Sequence, residues 1–422
     1  MKKLFPRLSA LVTASAALCA AEALAANVGH LAAVSNVSFT QNAQQDVIVT
    51  YDLANDGQPA FVTMDVLTNG VPLPVAAVQT VSGDVSSSLT DFIADGTGKQ
   101  IVWKARTDWK GHLTSNATVV VSAHYTNHLE GVYLRVDVSG GMEADAWPTH
   151  FGSVDPDVSS TAFLWDELWL KCVPAGTFLM GSPEDELNHN ANETRHQVTI
   201  TKPFFIGVTP VTRKQWTNMA GKINNLTVDG YEGCAAGWIR YTYGSASPTR
   251  TDTVTNRLNS LTGLVGFNLP TEAQWEYACR AGTGTALNNG KNLTTTGGNR
   301  CANLDEVAWY YPRSGYYPTT VGNYRPNAWG LYDMHGNVVE WCLDWLIQDL
   351  GTSAKTDPKG AASSSAASYS GYRVLRGGGY NSYDGWDYPQ GCRSAARMGF
   401  YPSCCSYGSE YFGFRVACLP AD

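Results

Sequence analysis

The residues with the densest chemical potential lie near the C-terminus. Ser382, Asp384 and Asp387 follow a Gly377-Gly378-Gly379-Tyr380 run, and Cys392-Arg393-Ser394-Ala395-Ala396-Arg397 comes next. A serine beside two carboxylates suggests nucleophilic or acid–base work, but no histidine is near them in sequence, and solvated loop residues are the plainer reading. A second group, His189, His196 and the neighbouring Glu193, has metal-ligand types, yet in a polar loop these read as solvated side chains. Asp333 and Glu340 flank Gly336-Asn337 in a turn that exposes carbonyls, an oxygen-rich set suited to calcium or, equally, a plain capped turn. No Gly-x-Ser-x-Gly elbow, Walker loop, dinucleotide fingerprint or His-Glu-x-x-His occurs in the chain.

Around these residues the sequence is aromatic and irregular. Tyr380, Asn381, Tyr383, Asp384, Trp386, Tyr388, Tyr401, Ser403, Tyr407 and Tyr411 crowd into a short span. Tyrosine and tryptophan give large contact area at low entropy cost while serine, glycine and asparagine adapt, so the span reads as a ligand-binding surface. The triglycine marks backbone that turns sharply or lies against something else. Thr271, with Pro270 before it and Gln274 three residues on, predicts a capped helix that places Trp275, Ala278 and Cys279 on an apolar face.

The first 25 residues, Met-Lys-Lys followed by an apolar stretch and Ala23-Leu24-Ala25, read as a signal peptide cleaved near Ala25, which implies a secreted or periplasmic protein. Residues 26–127 read as a small all-β sandwich: Asp46–Leu53, Phe61–Leu67 and Thr118–Ala123 have strand character, and Asn69-Gly70 marks a hairpin. Its His30, His112 and His124 show no ligand spacing. Residues 128–165 read as a connector, 166–422 as the second domain, and the small-residue stretch 351–371 as a flexible surface loop. The formal charge is −8, and the mature chain has 26 basic against 36 acidic residues, a poor match for nucleic acid. No segment after the leader is apolar enough to span a membrane. Nine cysteines remain after export, without a Cys-x-x-Cys pair, so disulfides are expected over a zinc ribbon. The oligomeric state is not set by the sequence.

Four ordered blocks carry a resemblance: Pro174–Ser182 with Phe205–Thr212, Leu269–Arg280, Gly330–Trp341, and the stretch from Tyr372–Tyr380 to Gly413–Ala417. Together they resemble the formylglycine-generating enzyme (sulfatase-modifying factor) family over roughly residues 165 to 420. The resemblance implies an α+β, C-type-lectin-like fold rich in long loops. It implies an oxidase that converts a substrate protein cysteine to formylglycine with oxygen and copper(I) held by two thiolates. In the register that brings the family's structural cysteine onto Cys392, the two copper positions fall on Ser382 and Asp387, which do not replace thiolates. Copper is therefore not expected, and the reading is a non-catalytic member binding a protein or glycan. The alternative is an oxidase with a relocated metal site, for which Cys404 and Cys405 are the candidates. The resemblance further implies a Cys279–Cys392 disulfide, with Cys342 a rival partner. It implies structural calcium at Asp333, Gly336, Val338 and Glu340, and a second calcium at Asn303 and Leu304. The C-terminal segment is also similar to the variable proteins of diversity-generating retroelements.

Overall fold

The computed structural model describes residues 8–12, 32–112, 117–125, 129–221, 232–236, 251–295, 297–315, 317–361, 363, 371–381, 388–402 and 412–419. The chain forms two compact units, residues 1–137 with 148–157 and 421–422, and residues 138–147 with 158–420.

In the first unit, Ala33–Gln41, Val47–Ala54, Gly96–Trp103 and Val81–Gly83 form one antiparallel sheet. Phe61–Thr68 pairs antiparallel with Ala117–His124 and with Val71–Pro72 in another. Both sheets feed one core, with Val49, Ile101 and Trp103 from the first and Val62, Met64 and Val121 from the second. Asn69 and Gly70 both sit at positive φ, 53° and 81°, which is the hairpin turn expected of Asn-Gly. Leu8–Val12, within the expected leader, runs parallel to Ala117–Val121. The stretch expected as a connector is instead folded: Tyr133–Asp137 pairs with Thr149–Gly152 inside this unit. Polar residues disguised it, because Arg135 is buried and donates to the Leu73 carbonyl at 2.6 Å.

The second unit is α+β. Glu167–Val173, Phe204–Gly207, Ala417–Cys418 and Phe267–Asn268 form one sheet region, so the chain's last strand lies between two early ones. A second sheet has Met398–Phe400, Arg373–Arg376, Val339–Trp345 and Phe412–Gly413 in that order. Gly176–Met180 and His196–Ile200 make a hairpin, to which Lys355–Thr356 adds in parallel. That strand pins part of the stretch expected as a flexible loop, and Asp357 accepts the Thr201 N–H at 2.9 Å. The Glu272–Arg280 helix starts at Thr271 with the expected capping box, Gln274 N–H to Thr271 Oγ1 and Thr271 N–H to Gln274 Oε1. It is buried on all sides, not on one apolar face.

A wholly buried helix with two glutamates needs buried cations, and arginines supply them. Glu272 takes both arms of Arg397 at 2.6 and 2.8 Å. Glu276 is paired by Arg280 at 2.8 Å and by Arg376. Arg415 grips Glu340 at 2.7 Å through two nitrogens, and Arg393 holds Glu193 at 2.6 Å and Glu186 at 2.7 Å. The His189–Glu193–His196 group is thus not a solvated loop: Glu193 and His196 are buried, and Ser182 Oγ donates to Glu193 at 2.6 Å and lies 2.8 Å from His189 Nδ1.

The described cysteines, Cys172, Cys234, Cys279, Cys301, Cys342, Cys392 and Cys418, are buried, and no disulfide joins any two of them. The expected Cys279–Cys392 disulfide is therefore not present. Cys279 Sγ instead packs against Ser394 Oγ at 3.6 Å and His335 Nε2 at 3.8 Å. Among the described residues no helix is long and apolar enough to cross a membrane.

Two outcomes follow. Arg415→Met leaves Glu340 charged in the core and is expected to cost about 3–5 kcal/mol in chemical denaturation. Asp344 is buried beside Glu272, and burial pushes its carboxyl up to about 7. A folded-state value above the unfolded one gives stability that is complete below about pH 4 and lost as pH rises through about 7. Asp344→Asn should accordingly remove a fall in melting temperature over that window; an unchanged difference between variant and wild type across it would refute the assignment.

Candidate functional site

The triglycine places the C-terminal segment on the Asp333–Glu340 turn. Gly377 and Gly378 have φ of 98° and 68°, and a Cβ on Gly378 would come 2.5 Å from Cys392 Sγ. Only glycine fits there. The Gly336 N–H donates to the Gly377 carbonyl at 2.7 Å, and the Tyr380 N–H donates to the Asn337 carbonyl at 3.0 Å. Asn337, at φ 61°, holds residue 319 through its side chain: Thr319 N–H reaches Oδ1 and Nδ2 reaches the Thr319 carbonyl, both at 3.2 Å.

His335 locks the other side of the turn. It lies 2.6 Å from the Cys392 carbonyl through Nδ1, and Nε2 accepts the Asn288 N–H at 3.0 Å. Burial drives its pKa down to about 4, so the ring is neutral, and these contacts require the proton on Nδ1. Burial pushes the Cys279 thiol up to about 12. The Cys279–His335 contact therefore has neither the thiolate nor the access of a nucleophilic pair.

The residues expected to hold the first calcium divide. Asp333 is fully buried, its Oδ2 accepts the Gly322 N–H at 2.8 Å, and its Oδ1 has no partner. Burial pushes this carboxyl up to about 6. An orphaned buried carboxylate oxygen fits a cation. Glu340 does not fit, since Arg415 and the Trp275 Nε1–H, at 2.7 Å, occupy its carboxylate. Gly336 and Val338 lie on the same turn, and both are buried. The second expected set fits poorly. Asn303 donates to the Asn292 carbonyl at 2.8 Å, Leu304 is fully buried, and the adjacent acids are committed: Asp305 to Arg300 at 2.6 Å and Glu306 to Lys291 at 2.5 Å.

The expected ligand-binding surface is only partly visible. Tyr380 is 2% exposed, so it anchors the segment and displays nothing. Its carbonyl is held by Ser314 Oγ. Asn381 and Tyr388 are half-buried, with Tyr388 5.5 Å from the Tyr311 ring. Tyr401 is 49% exposed and packs edge-on to Tyr372 at 4.3 Å. Ser382, Tyr383, Asp384, Trp386, Asp387, Ser403, Cys404, Cys405, Tyr407 and Tyr411 lie outside the described residues. Sequence reasoning missed the buried arginines. Their one signal was the clustering of Arg376, Arg393, Arg397 and Arg415 in otherwise apolar or small-residue runs.

Residues 170–419 match the family model of the sulfatase-modifying factor enzyme 1-like domain. The formylglycine-generating enzyme of Streptomyces coelicolor is 30% identical over 287 residues, covering 58% of this chain and 87% of that one. Chaperone protein LppX of Paenibacillus barcinonensis is 31% identical over 182 residues, covering 34% of this chain and 62% of that relative's length. Among solved structures, Treponema denticola variable protein 1 aligns with a TM-score of 0.46 at 26% identity, over 62% of this chain and 97% of that one.

The unpartnered Asp333 oxygen makes a direct prediction. In chelator at neutral pH, Asp333→Asn removes an uncompensated buried charge and should raise stability by about 1 kcal/mol. A loss of stability under those conditions would show that the carboxylate is already satisfied.

Proposed function

The chain belongs to the sulfatase-modifying factor enzyme 1-like family, and from that premise we propose an exported, non-catalytic member whose Tyr- and Ser-rich segment binds a protein or glycan. The observation that carries this reading is the pair Ser382 and Asp387, at the positions where the family resemblance calls for copper thiolates. Cys392 under Gly378 supports the register from which those positions are counted. The seven described thiols are all buried, which suits packing better than a copper(I) site open to substrate. A relative named a chaperone is consistent with family members that work by binding.

Calcium completes the proposal as a structural ion at Asp333, where it would neutralise the buried carboxylate and brace the turn under the triglycine. Calcium at a hundredfold excess over its Kd is then expected to stabilise the wild type by about 2.7 kcal/mol, with no effect on Asp333→Asn. Equal responses of the two proteins would place the ion elsewhere or nowhere.

The competing oxidase reading draws on the Streptomyces coelicolor enzyme, matched over 87% of its length. The two separate in one experiment: copper stoichiometry after copper(I) reconstitution, with oxygen-dependent conversion of a Cys-x-Pro-x-Arg peptide. Binding without oxidation predicts no stoichiometric copper and an unmodified peptide. Near one copper per chain, lost on replacing Cys404 and Cys405, would establish the oxidase.

A further inference from the structure

Beside the first turn of the Glu272–Arg280 helix lies a cavity of about 230 Å³. Its lining shares no residue with the tyrosine-rich segment, so what it binds is independent of the function proposed above. We propose that this cavity is a binding site for a small zwitterion, an α-amino acid with an apolar side chain.

The polar wall offers acceptors that lack a cation. His196 is 2% exposed, and its Nδ1 lies 2.9 Å from the Thr194 carbonyl, an acceptor that requires a proton on that nitrogen. With the ring protonated on Nδ1 alone, Nε2 offers a lone pair, and it has no hydrogen-bond partner. Buried polar atoms are rarely left so without something to meet them. Asp344, also buried, accepts the Glu272 N–H at 2.8 Å and makes no ion pair among the described residues. The neighbouring Glu272 cannot serve an incoming cation as readily, because both of its oxygens are taken by Arg397. His196 and Asp344 line the same space. Together they suit an ammonium group, which donates several hydrogen bonds from one charged centre.

Elsewhere the lining changes character. Lys355 is half-buried and Lys359 is exposed, and both line the cavity. Lysine supplies the counter-charge for a carboxylate. Ile347 and Leu350 contribute apolar surface for a hydrocarbon side chain. At roughly 30 Å³ per water the cavity has the room of about eight waters, which suits a molecule of about eight or nine heavy atoms and is smaller than pockets for drug-sized ligands. An aliphatic amino acid meets all three demands in one molecule.

Calorimetric titration of the purified full chain with L-leucine, 3-methylbutylamine and 4-methylpentanoate tests this. Leucine should saturate one site, with the amine and the carboxylate each about tenfold weaker or worse, because each lacks one charged contact. Lys359→Ala changes an exposed residue and should weaken leucine about tenfold without moving the melting temperature. His196→Gln should weaken leucine and 3-methylbutylamine alike. No saturation by leucine up to about 10 mM, an amine or acid binding as tightly as leucine, or unchanged affinity in Lys359→Ala would each overturn the proposal.

Discussion

Everything in the second unit hangs on arginines that are buried without being solvated. Arg376, Arg393, Arg397 and Arg415 are each at most 2% exposed, and each ends on a glutamate from a distant part of the chain. Bringing such charges out of water is costly, and replacing a whole pair with apolar groups is often neutral, so the pairs are poor explanations of net stability. What they supply is uniqueness. A guanidinium fork satisfied on several sides accepts one arrangement of its neighbours, and breaking one side strands a charge. In a domain with short strands and long connections, hydrogen-bonded ladders alone leave many loop paths open. The arginines close them: Arg397 also donates to the carbonyls of Asn192 and Ile347, and Arg415 to those of Gly207 and Tyr332.

The described chain on either side of residues 382–387 shares this frame. Arg376 immediately precedes the glycines, and its donors reach the Ala395 and Ala396 carbonyls beyond Cys392. Both ends of the described chain flanking residues 382–387 are therefore tied to one buried guanidinium. Tyr380 extends the tie inward and gives up its place on the surface to do so. A frame of this kind, fixed by contacts between residues on either side of 382–387, is compatible with the binding surface proposed above.

Local chemistry was legible in the sequence, and long-range pairing was not. Thr271 and Gln274 announced a helix start because a capping box is written within four residues, and Asn69-Gly70 announced its hairpin for the same reason. Gly378 was readable as a close approach, although nothing nearby said that Cys392 was what it approached. Glu193 and His196 read as solvated because the cation that buries Glu193, Arg393, lies 200 residues away. Tyr380 failed differently. Tyrosine is common both in cores and on recognition surfaces, so its type does not choose between them, and only the backbone bond to Asn337 does.

The same asymmetry bears on the acid groups. Two kinds stand out among the buried carboxylates of this domain: those gripped by arginine, such as Glu272 and Glu340, and Asp333 and Asp344, which make no ion pair among the described residues. The first kind builds the frame, and the frame's geometry is complete without any added partner. The second kind is held above its ordinary pKa by burial, at about 6 and about 7, which means the fold tolerates each at a cost that a bound cation would relieve. Residues whose local environment works against them are where ligands are to be sought. By that criterion Asp333 under the glycines and Asp344 beside the helix start are where the ligands proposed above would bind, and the arginine-paired acids build the frame around them.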